Sequence, residues 1–201
     1  VSKGYDSTDG GYALRITRDS EPIRAFFSVT NVSGTQILAG AYSNISNGKW
    51  YHVVGTYDGT NVKMYVNGVL NDTQALTGNI KINSLPVRFG RMSTAGGAVE
   101  YYQGLIDDAR IYNRVLSPVE IKAHYSSGLN YVQLSAKPTD SNLVAYWDFD
   151  EGSGIYAYDK SGNGYTGTFV NAPAWESGKF SGGANFDNND YLELAPPYLD
   201  I

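Results

Sequence analysis

The chain has 201 residues, 15 of them basic and 20 acidic, no cysteine, and a formal net charge of −5. This length suits one all-β domain or two small ones, and the lack of cysteine excludes disulfides, thiol nucleophiles and thiolate metal sites. The charge argues against a nucleic-acid partner, and no apolar run is long enough for a membrane span. The 23 glycines and 17 tyrosines favour β-sheet with many tight turns.

Segments in which apolar and polar residues alternate occur along most of the chain and predict short β-strands. They are residues 12–17, 23–29, 50–57, 62–66, 86–90, 104–112, 143–149, 167–170, 184–187 and 191–194. The dipeptides Asp58-Gly59 and Asn67-Gly68 are typical of turns that close antiparallel hairpins. The sequence therefore predicts an antiparallel β protein with little helix.

One helix is predicted, from about Pro118 to about Tyr125. Ser117 and Glu120 have the spacing of a capping box, and Pro118 suits the first helical turn. Gly128 is expected to lie beyond the end of the helix. Residues that favour loops follow, so the sequence predicts a linker at 126–141 before a second strand-rich segment.

Two groups of motifs resemble one known family. The first group, WYHVVGTYDG at 50–59, VKMYVNG at 62–68 and GLIDDARIYNRVLS at 104–117, is similar to the C-terminal two-thirds of a laminin-G-like, concanavalin A-like jelly roll. The second group, LVAYWDFDEGSG at 143–154 and DKSGNGYTGT at 159–168, with 186–193, resembles the N-terminal third of the same family.

The resemblance implies an all-β fold, an antiparallel two-sheet jelly-roll sandwich with one short helix. Residues 1–125 would form the C-terminal two-thirds of the jelly roll, 126–141 a linker, and 142–201 the N-terminal third. This order is the reverse of the family's, so the chain is either a permuted single domain or the junction of tandem modules. In both cases the strand that the family places between these two parts is expected to be missing between residue 201 and residue 1.

The resemblance also implies one structural calcium ion. The positions that correspond to the calcium ligands of the family are Asp107 in the strand predicted at 104–112, Asp150 after the strand that contains Trp147, and the Asp187-Asn188 turn. Oxygen ligands at loop ends suit calcium, which takes six to eight of them. The alternative is that these are turn residues bonding to local amides. Asp108 is expected to point to the opposite face, into solvent.

Catalytic residues are not indicated. The chain has two histidines, and we expect His52 to be a strand histidine bonded to a neighbour and His124 to lie on the short helix. No serine lies in a nucleophile-elbow context, and the Glu-x-Asp-x-x-Glu spacing of jelly-roll glycoside hydrolases is absent. A glycan-active enzyme is therefore the least favoured alternative.

A ligand is expected at a loop rim formed by Tyr101, Tyr102 and Gln103, together with the preceding loop at 93–97, because sandwich folds place recognition there. The family resemblance implies a carbohydrate-binding or adhesion module of a larger secreted or cell-surface protein. Its partners would be a carbohydrate or a cell-surface glycoprotein. Three glycan-acceptor triplets, beginning at Asn31, Asn44 and Asn71, agree with an extracellular location.

The reversed motif order supports a second function class. A jelly roll that lacks one internal strand has an open slot in its sheet, and unpaired edges of this kind pair readily with a foreign strand. Identical neighbouring subunits could then build a surface fibre or layer by exchanging strands or half-domains. If the chain is instead cut from a tandem array, the missing strand lies in the flanking sequence.

Overall fold

The structure is a computed structural model that describes residues 1–4, 10–17, 23–93, 99–129, 140–171, 173–195 and 199. Within these residues the elements, in chain order, are β1 (Ser2–Lys3), β2 (Gly11–Thr17), β3 (Ile23–Thr30), β4 (Gln36–Ile45), β5 (Val53–Tyr57), β6 (Asn61–Val66), β7 (Val69–Ala75), β8 (Arg88–Phe89), β9 (Arg91–Ser93), β10 (Val99–Tyr101), β11 (Gly104–Ile106), β12 (Ala109–Tyr112), α1 (Pro118–Leu129), β13 (Leu143–Trp147), β14 (Tyr156–Ala157), β15 (Gly167–Val170), β16 (Ala174–Ser177), β17 (Gly182–Phe186) and β18 (Tyr191–Leu194).

One layer of the fold is an eight-stranded antiparallel sheet in the order β14-β15-β18-β8-β1-β2-β3-β4. The strands before α1 and those after it meet where β8 pairs with β18. There Phe89 lies opposite Leu192, and the Arg88 Nε donates to the Glu193 carboxylate at 2.6 Å. Both strand-rich segments of the chain therefore contribute to one sheet.

The second layer consists of three shorter sheets, β5-β6-β7, β12-β13 and β11-β17-β16. Gly55 of β5 lies so close to Phe27 of β3 that a Cβ at Gly55 would be 2.1 Å from the ring. Trp147 of β13 meets Phe89 of β8 edge to face, with 5.1 Å between ring centroids. The strands form an antiparallel two-layer sandwich, which confirms the predicted all-β class.

The buried side chains form two large clusters. The first contains Val87, Phe89, Trp147, Phe149, Phe169, Phe186 and Leu192 with smaller neighbours, and the second contains Phe27, Val29, Val62, Met64 and Leu76 with theirs. Burying each such side chain contributes about 1.5–3 kcal/mol. The first cluster takes residues from both strand-rich segments, whereas the second takes residues from the first segment alone.

The two predicted hairpin turns differ in detail. Asn67 and Gly68 both have positive φ, 52° and 78°, as a two-residue hairpin turn between β6 and β7 requires. At the β5–β6 turn only Gly59 has a positive φ. Here the Asp58 carboxylate accepts hydrogen bonds from the amides of Thr60 and Asn61 and holds a longer loop.

The strand predicted at 104–112 is interrupted. It forms β11 and β12 with Asp107 and Asp108 between them, because Asp108 adopts φ 57°, which takes the chain out of the extended conformation. β11 pairs with β17 and β12 pairs with β13. The interruption places Asp107 and Asp108 at a bend in the second layer. Seven strands were not predicted from the alternation pattern, namely β1, β4, β7, β9, β10, β14 and β16.

Helix α1 begins as predicted and ends later. The Ser117 amide donates to the Glu120 carboxylate at 2.8 Å and the Glu120 amide donates to the Ser117 hydroxyl at 3.3 Å, which is a capping box. The helix continues to Leu129, so Gly128 lies inside it and the predicted end near residue 125 is wrong. Residues 130–139 of the predicted linker lie outside the described residues. Among the described residues no helix is long and apolar enough to cross a membrane.

Candidate functional site

Asp107 lies at the bend between β11 and β12 and faces the loop between β16 and β17. Its Oδ2 accepts a hydrogen bond from the Phe180 amide at 2.8 Å. Its Oδ1 is buried and has no hydrogen-bond partner. A buried carboxylate oxygen normally has a partner, so this oxygen marks a position where a cation or a proton could be held.

Asp150 reaches the same loop from the segment after β13. Its Oδ1 accepts a hydrogen bond from the Gly182 amide at 2.6 Å. Two glycines leave the space that these carboxylates occupy. A Cβ at Gly178 would lie 2.8 Å from Asp107 Oδ2, and a Cβ at Gly182 would lie 3.0 Å from Asp150 Oδ1. Asp107 and Asp150 therefore both accept hydrogen bonds from amides of the loop 178–182, and this arrangement is here called the carboxylate cradle.

The pKa of Asp107 reflects this environment. Burial raises the pKa of Asp107 to about 7, and the negative charges of Asp108 and Asp150 act in the same direction. The amides of Phe180 and Lys179 oppose the shift without cancelling it. A bound cation would favour the charged carboxylate and would supply the partner that Oδ1 lacks.

Asp187 and Asn188 lie apart from the carboxylate cradle. They follow β17 at its far end, whereas Gly182 begins that strand. The Asp187 carboxylate accepts from the Asn188 side-chain amide, and the Asp187 amide donates to Asp190. Thus the predicted calcium ligands Asp107 and Asp150 come together, whereas Asp187 and Asn188 form a separate turn. Among the described residues no three or more histidine, aspartate or glutamate side chains are grouped closely enough to hold a metal ion.

Asp108 points away from Asp107, as expected. It forms an ion pair, however, whereas we expected it to point into solvent. Its Oδ1 accepts from Arg110 Nη2 at 3.0 Å and from the Tyr146 hydroxyl at 2.6 Å. Burial and the charge of Asp108 raise the pKa of Tyr146. These contacts tie β12 to β13 on the outer face of the second layer.

His52 immediately precedes β5, and its amide donates to the Asn67 side chain at 3.0 Å. The ring lies 6.2 Å from that of Tyr125, and its Nδ1 is buried without a hydrogen-bond partner. We expected His52 to bond to a neighbour. That bond is made by the main-chain amide of His52 and not by its ring Nδ1. Burial lowers the pKa of His52 to about 4, and His124 and Arg110 act in the same direction.

The predicted ligand rim is split between exposed and half-buried side chains. Tyr101 and Gln103 are exposed, but Tyr102 packs against the first core cluster and its hydroxyl donates to the Leu105 carbonyl at 3.4 Å. Burial raises the pKa of Tyr102. Residues 94–98 of the adjoining loop lie outside the described residues.

A second exposed aromatic surface lies on β14 and the residue after it, at one edge of the eight-stranded sheet. Tyr156 and Tyr158 are 46% and 52% exposed, and their ring centroids are 6.2 Å apart. Ile155 beside them is 47% exposed. The sequence alone gave no reason to prefer these tyrosines over the others, because exposure depends on the position of β14 at the sheet edge.

The loop that follows β14 is held by Asp159. Its Oδ1 accepts from the amides of Tyr146 and Ser161, and its Oδ2 accepts from the Ser161 hydroxyl and the Tyr165 amide, at 2.8–3.1 Å. Burial raises the pKa of Asp159, but these hydrogen bonds outweigh that effect and the pKa lies below its ordinary value. The DKSGNG motif thus has a structural role.

Comparison with known proteins gives the family. The laminin G family model described as "Concanavalin A-like lectin/glucanases superfamily" matches residues 1–122, which is more than half of the chain. The chain belongs to this superfamily. No curated protein matches the chain. The matched range ends before β13, so the resemblance of residues 142–201 and the reversed order of the two parts stay predictions.

Proposed function

We propose that the chain is a non-catalytic carbohydrate-binding or adhesion module of a secreted or cell-surface protein. The match of residues 1–122 to a lectin and glucanase superfamily carries this proposal. Sequence features agree with it, since the Glu-x-Asp-x-x-Glu spacing of jelly-roll hydrolases does not occur. The exposed side chains of Tyr101 and Gln103 on the β10–β11 connection remain a proposed ligand contact.

One structural calcium ion is part of the proposal. Asp107 and Asp150 would hold it in the carboxylate cradle, because Asp107 Oδ1 is buried without a partner, Asp107 lies against Gly178 and Asp150 lies against Gly182. Main-chain carbonyls and water would complete the six to eight oxygens that calcium takes. The ion would neutralise the buried charge and join the β11–β12 bend to the β16–β17 loop.

A glycan array probed with folded, calcium-loaded protein tests the module function. We expect binding to one class of carbohydrate and weaker binding after chelation, if the ion supports the fold. An array without binding, from protein shown to be folded by circular dichroism, would contradict the proposal.

Assembly by strand exchange is the second candidate function. Within the described residues β5 is hydrogen-bonded to β6 alone, β11 to β17 alone and β12 to β13 alone. Each of these strands has an edge without a strand partner there, and such edges can accept a strand from an identical subunit. Light scattering over a range of concentrations tests this, and a monodisperse 21.9 kDa monomer throughout would contradict it.

A further inference from the structure

We propose that the β14 edge is a carbohydrate-binding surface on which neutral sugars pack against Tyr156 and Tyr158. This inference rests on the proposed carbohydrate-binding function and names a position and a ligand class for it. The surface, here called the tyrosine edge, consists of Tyr156 and Tyr158 with the neighbouring side chain of Lys160.

The direction of the two rings follows from the strand. Ala157 between them is fully buried in the first core cluster, so the tyrosines on either side of it project outward. Their rings are tilted by 38° with centroids 6.2 Å apart. A tyrosine ring offers an apolar face with a polar tip, which suits a sugar ring that has C–H groups on its face and hydroxyls at its rim.

The backbone beneath the rings is held at several points. The Phe169 amide donates to the Ile155 carbonyl at 2.8 Å, and Trp175 Nε1 donates to the Gly154 carbonyl at 3.0 Å. The Tyr158 amide donates to Glu151 Oε1 at 2.9 Å. A surface positioned in this way loses little conformational entropy when a ligand binds.

Polar groups for the sugar hydroxyls lie beside the rings. The Lys160 ammonium is 3.6 Å from Asp148 Oδ1 and 3.6 Å from Glu151 Oε1, distances longer than a hydrogen bond. Its three N–H donors therefore retain capacity for a ligand. The two carboxylates outnumber the single ammonium, so the local charge is negative and disfavours uronic or sulfated sugars. Neutral pyranosides are the ligand class that fits.

The tyrosine edge differs from the predicted rim at Tyr101. On the tyrosine edge two large rings are about half exposed next to each other, whereas at the rim Tyr102 turns into the fold and leaves Tyr101, which is 37% exposed, as the accessible ring. Two adjacent rings can contact two successive sugar units or opposite ends of one. We therefore assign the main contact to the tyrosine edge.

Native affinity electrophoresis in gels containing hydroxyethyl cellulose, mixed-linkage β-glucan or xylan tests the inference, with polygalacturonate as the acidic comparison. We expect retardation by a neutral polymer and none by polygalacturonate. Tyr156→Ala or Tyr158→Ala should each weaken binding about five-fold, and Tyr156→Phe and Tyr158→Phe, which keep the rings, should retain most of it. Tyr101→Ala is the matched variant at the rival position and should weaken binding less than either Tyr156→Ala or Tyr158→Ala.

Each other outcome overturns the inference. Binding that depends on Tyr101 and not on the tyrosine pair would leave the carbohydrate function intact and move the site. Preference for polygalacturonate would contradict the neutral ligand class. No retardation by any neutral polymer would exclude the tyrosine edge as assigned, while the glycan array decides separately whether the chain binds carbohydrate. A dimer that Tyr156→Ala and Tyr158→Ala abolish would show that this edge is a protein interface.

Discussion

Asp159 and Asp107 both lie next to strands of the first core cluster, but their carboxylates have opposite surroundings. Asp159 accepts four hydrogen bonds from its own loop and from β13, and its pKa is lowered. Asp107 accepts from the Phe180 amide, keeps one buried oxygen without a partner, and has a raised pKa. A carboxylate whose oxygens are saturated by the chain has a structural role, whereas one left open is a candidate ligand.

Burial separates two of the glycan-acceptor asparagines. Asn31 is buried, its Nδ2 donates to the Thr77 carbonyl, and its Oδ1 accepts from the amides of Ser33 and Thr35. Asn71 lies on the exposed strand β7. Identical sequence signals can thus mark a buried side chain or an accessible one, and burial distinguishes them, since Asn71 Nδ2 also donates a hydrogen bond, to the Val69 carbonyl at 2.8 Å.

The largest effect is expected for Asp159→Ala. Four buried or half-buried donors lose their acceptor, so we expect the free energy of unfolding to fall by about 3 kcal/mol. Urea unfolding followed by tryptophan fluorescence measures this. Asp58→Ala, in the exposed β5–β6 turn, is the control and should lower stability less. Equal losses for the two variants would show that saturation by the chain does not identify a structural carboxylate.

Asp107→Asn should behave differently from Asp159→Ala. Without calcium the variant should be about as stable as the parent protein, because a neutral amide replaces a carboxyl group that is costly to charge in that position. With calcium the parent protein should gain about 2 kcal/mol of stability at a free concentration well above its Kd, and the variant should gain almost none. Thermal unfolding with calcium and with chelator measures both.

Asp187→Asn is the matched control for the cation site. It changes a predicted ligand that lies at the far end of β17 from the carboxylate cradle. We expect its response to calcium to equal that of the parent protein. A lost response in Asp187→Asn and a retained one in Asp107→Asn would move the site to the turn after β17.

Much of the fold could be predicted from the sequence, because it depends on local signals. Alternation identified most strands, and the capping box placed the start of α1. β7 was missed because its exposed residues show little apolar alternation. The end of α1 was misplaced because Gly128 was taken to follow the helix, whereas the helix includes it.

The candidate site was less predictable because it depends on contacts far apart in the sequence. Asp107 meets Phe180, and Asp150 meets Gly182, across separations that no local pattern encodes. Family resemblance supplied Asp107 and Asp150, but it also supplied Asp187 and Asn188, which the structure places elsewhere. The bend at Asp108, with its positive φ, was not visible in an apparently continuous strand.

His52 extends the comparison to a basic group. Its Nδ1 lacks a partner and its pKa is lowered to about 4 from 6.5, so the fold favours the neutral ring. The unfolded chain then binds the proton more readily between pH 6.5 and 4, and stability is lost as pH falls through this range. We expect a loss of about 1–2 kcal/mol, allowing for solvent screening.

His52→Gln removes this titration. The difference in unfolding free energy between parent and variant should therefore change between pH 7.5 and pH 4, with the variant losing less. Nearby groups that also carry charge, His124, Arg110 and Asp108, stay the same in both proteins. A pH-independent difference between the two proteins would contradict a buried, neutral His52.

The smallest effect on stability, and the most direct test of accessibility, concerns Asn31 and Asn71. An oligosaccharide on Asn31 Nδ2, which donates to the Thr77 carbonyl, would need space that a residue 6% exposed does not have. Asn71 lies on an exposed strand, so a glycan there can extend into solvent. When the chain is secreted from a eukaryotic cell, intact mass and peptide mapping should find modification at Asn71 and none at Asn31. Asn71→Gln should remove that modification with little change in thermal stability. Modification at Asn31 in folded protein would show that burial of this side chain does not prevent its glycosylation.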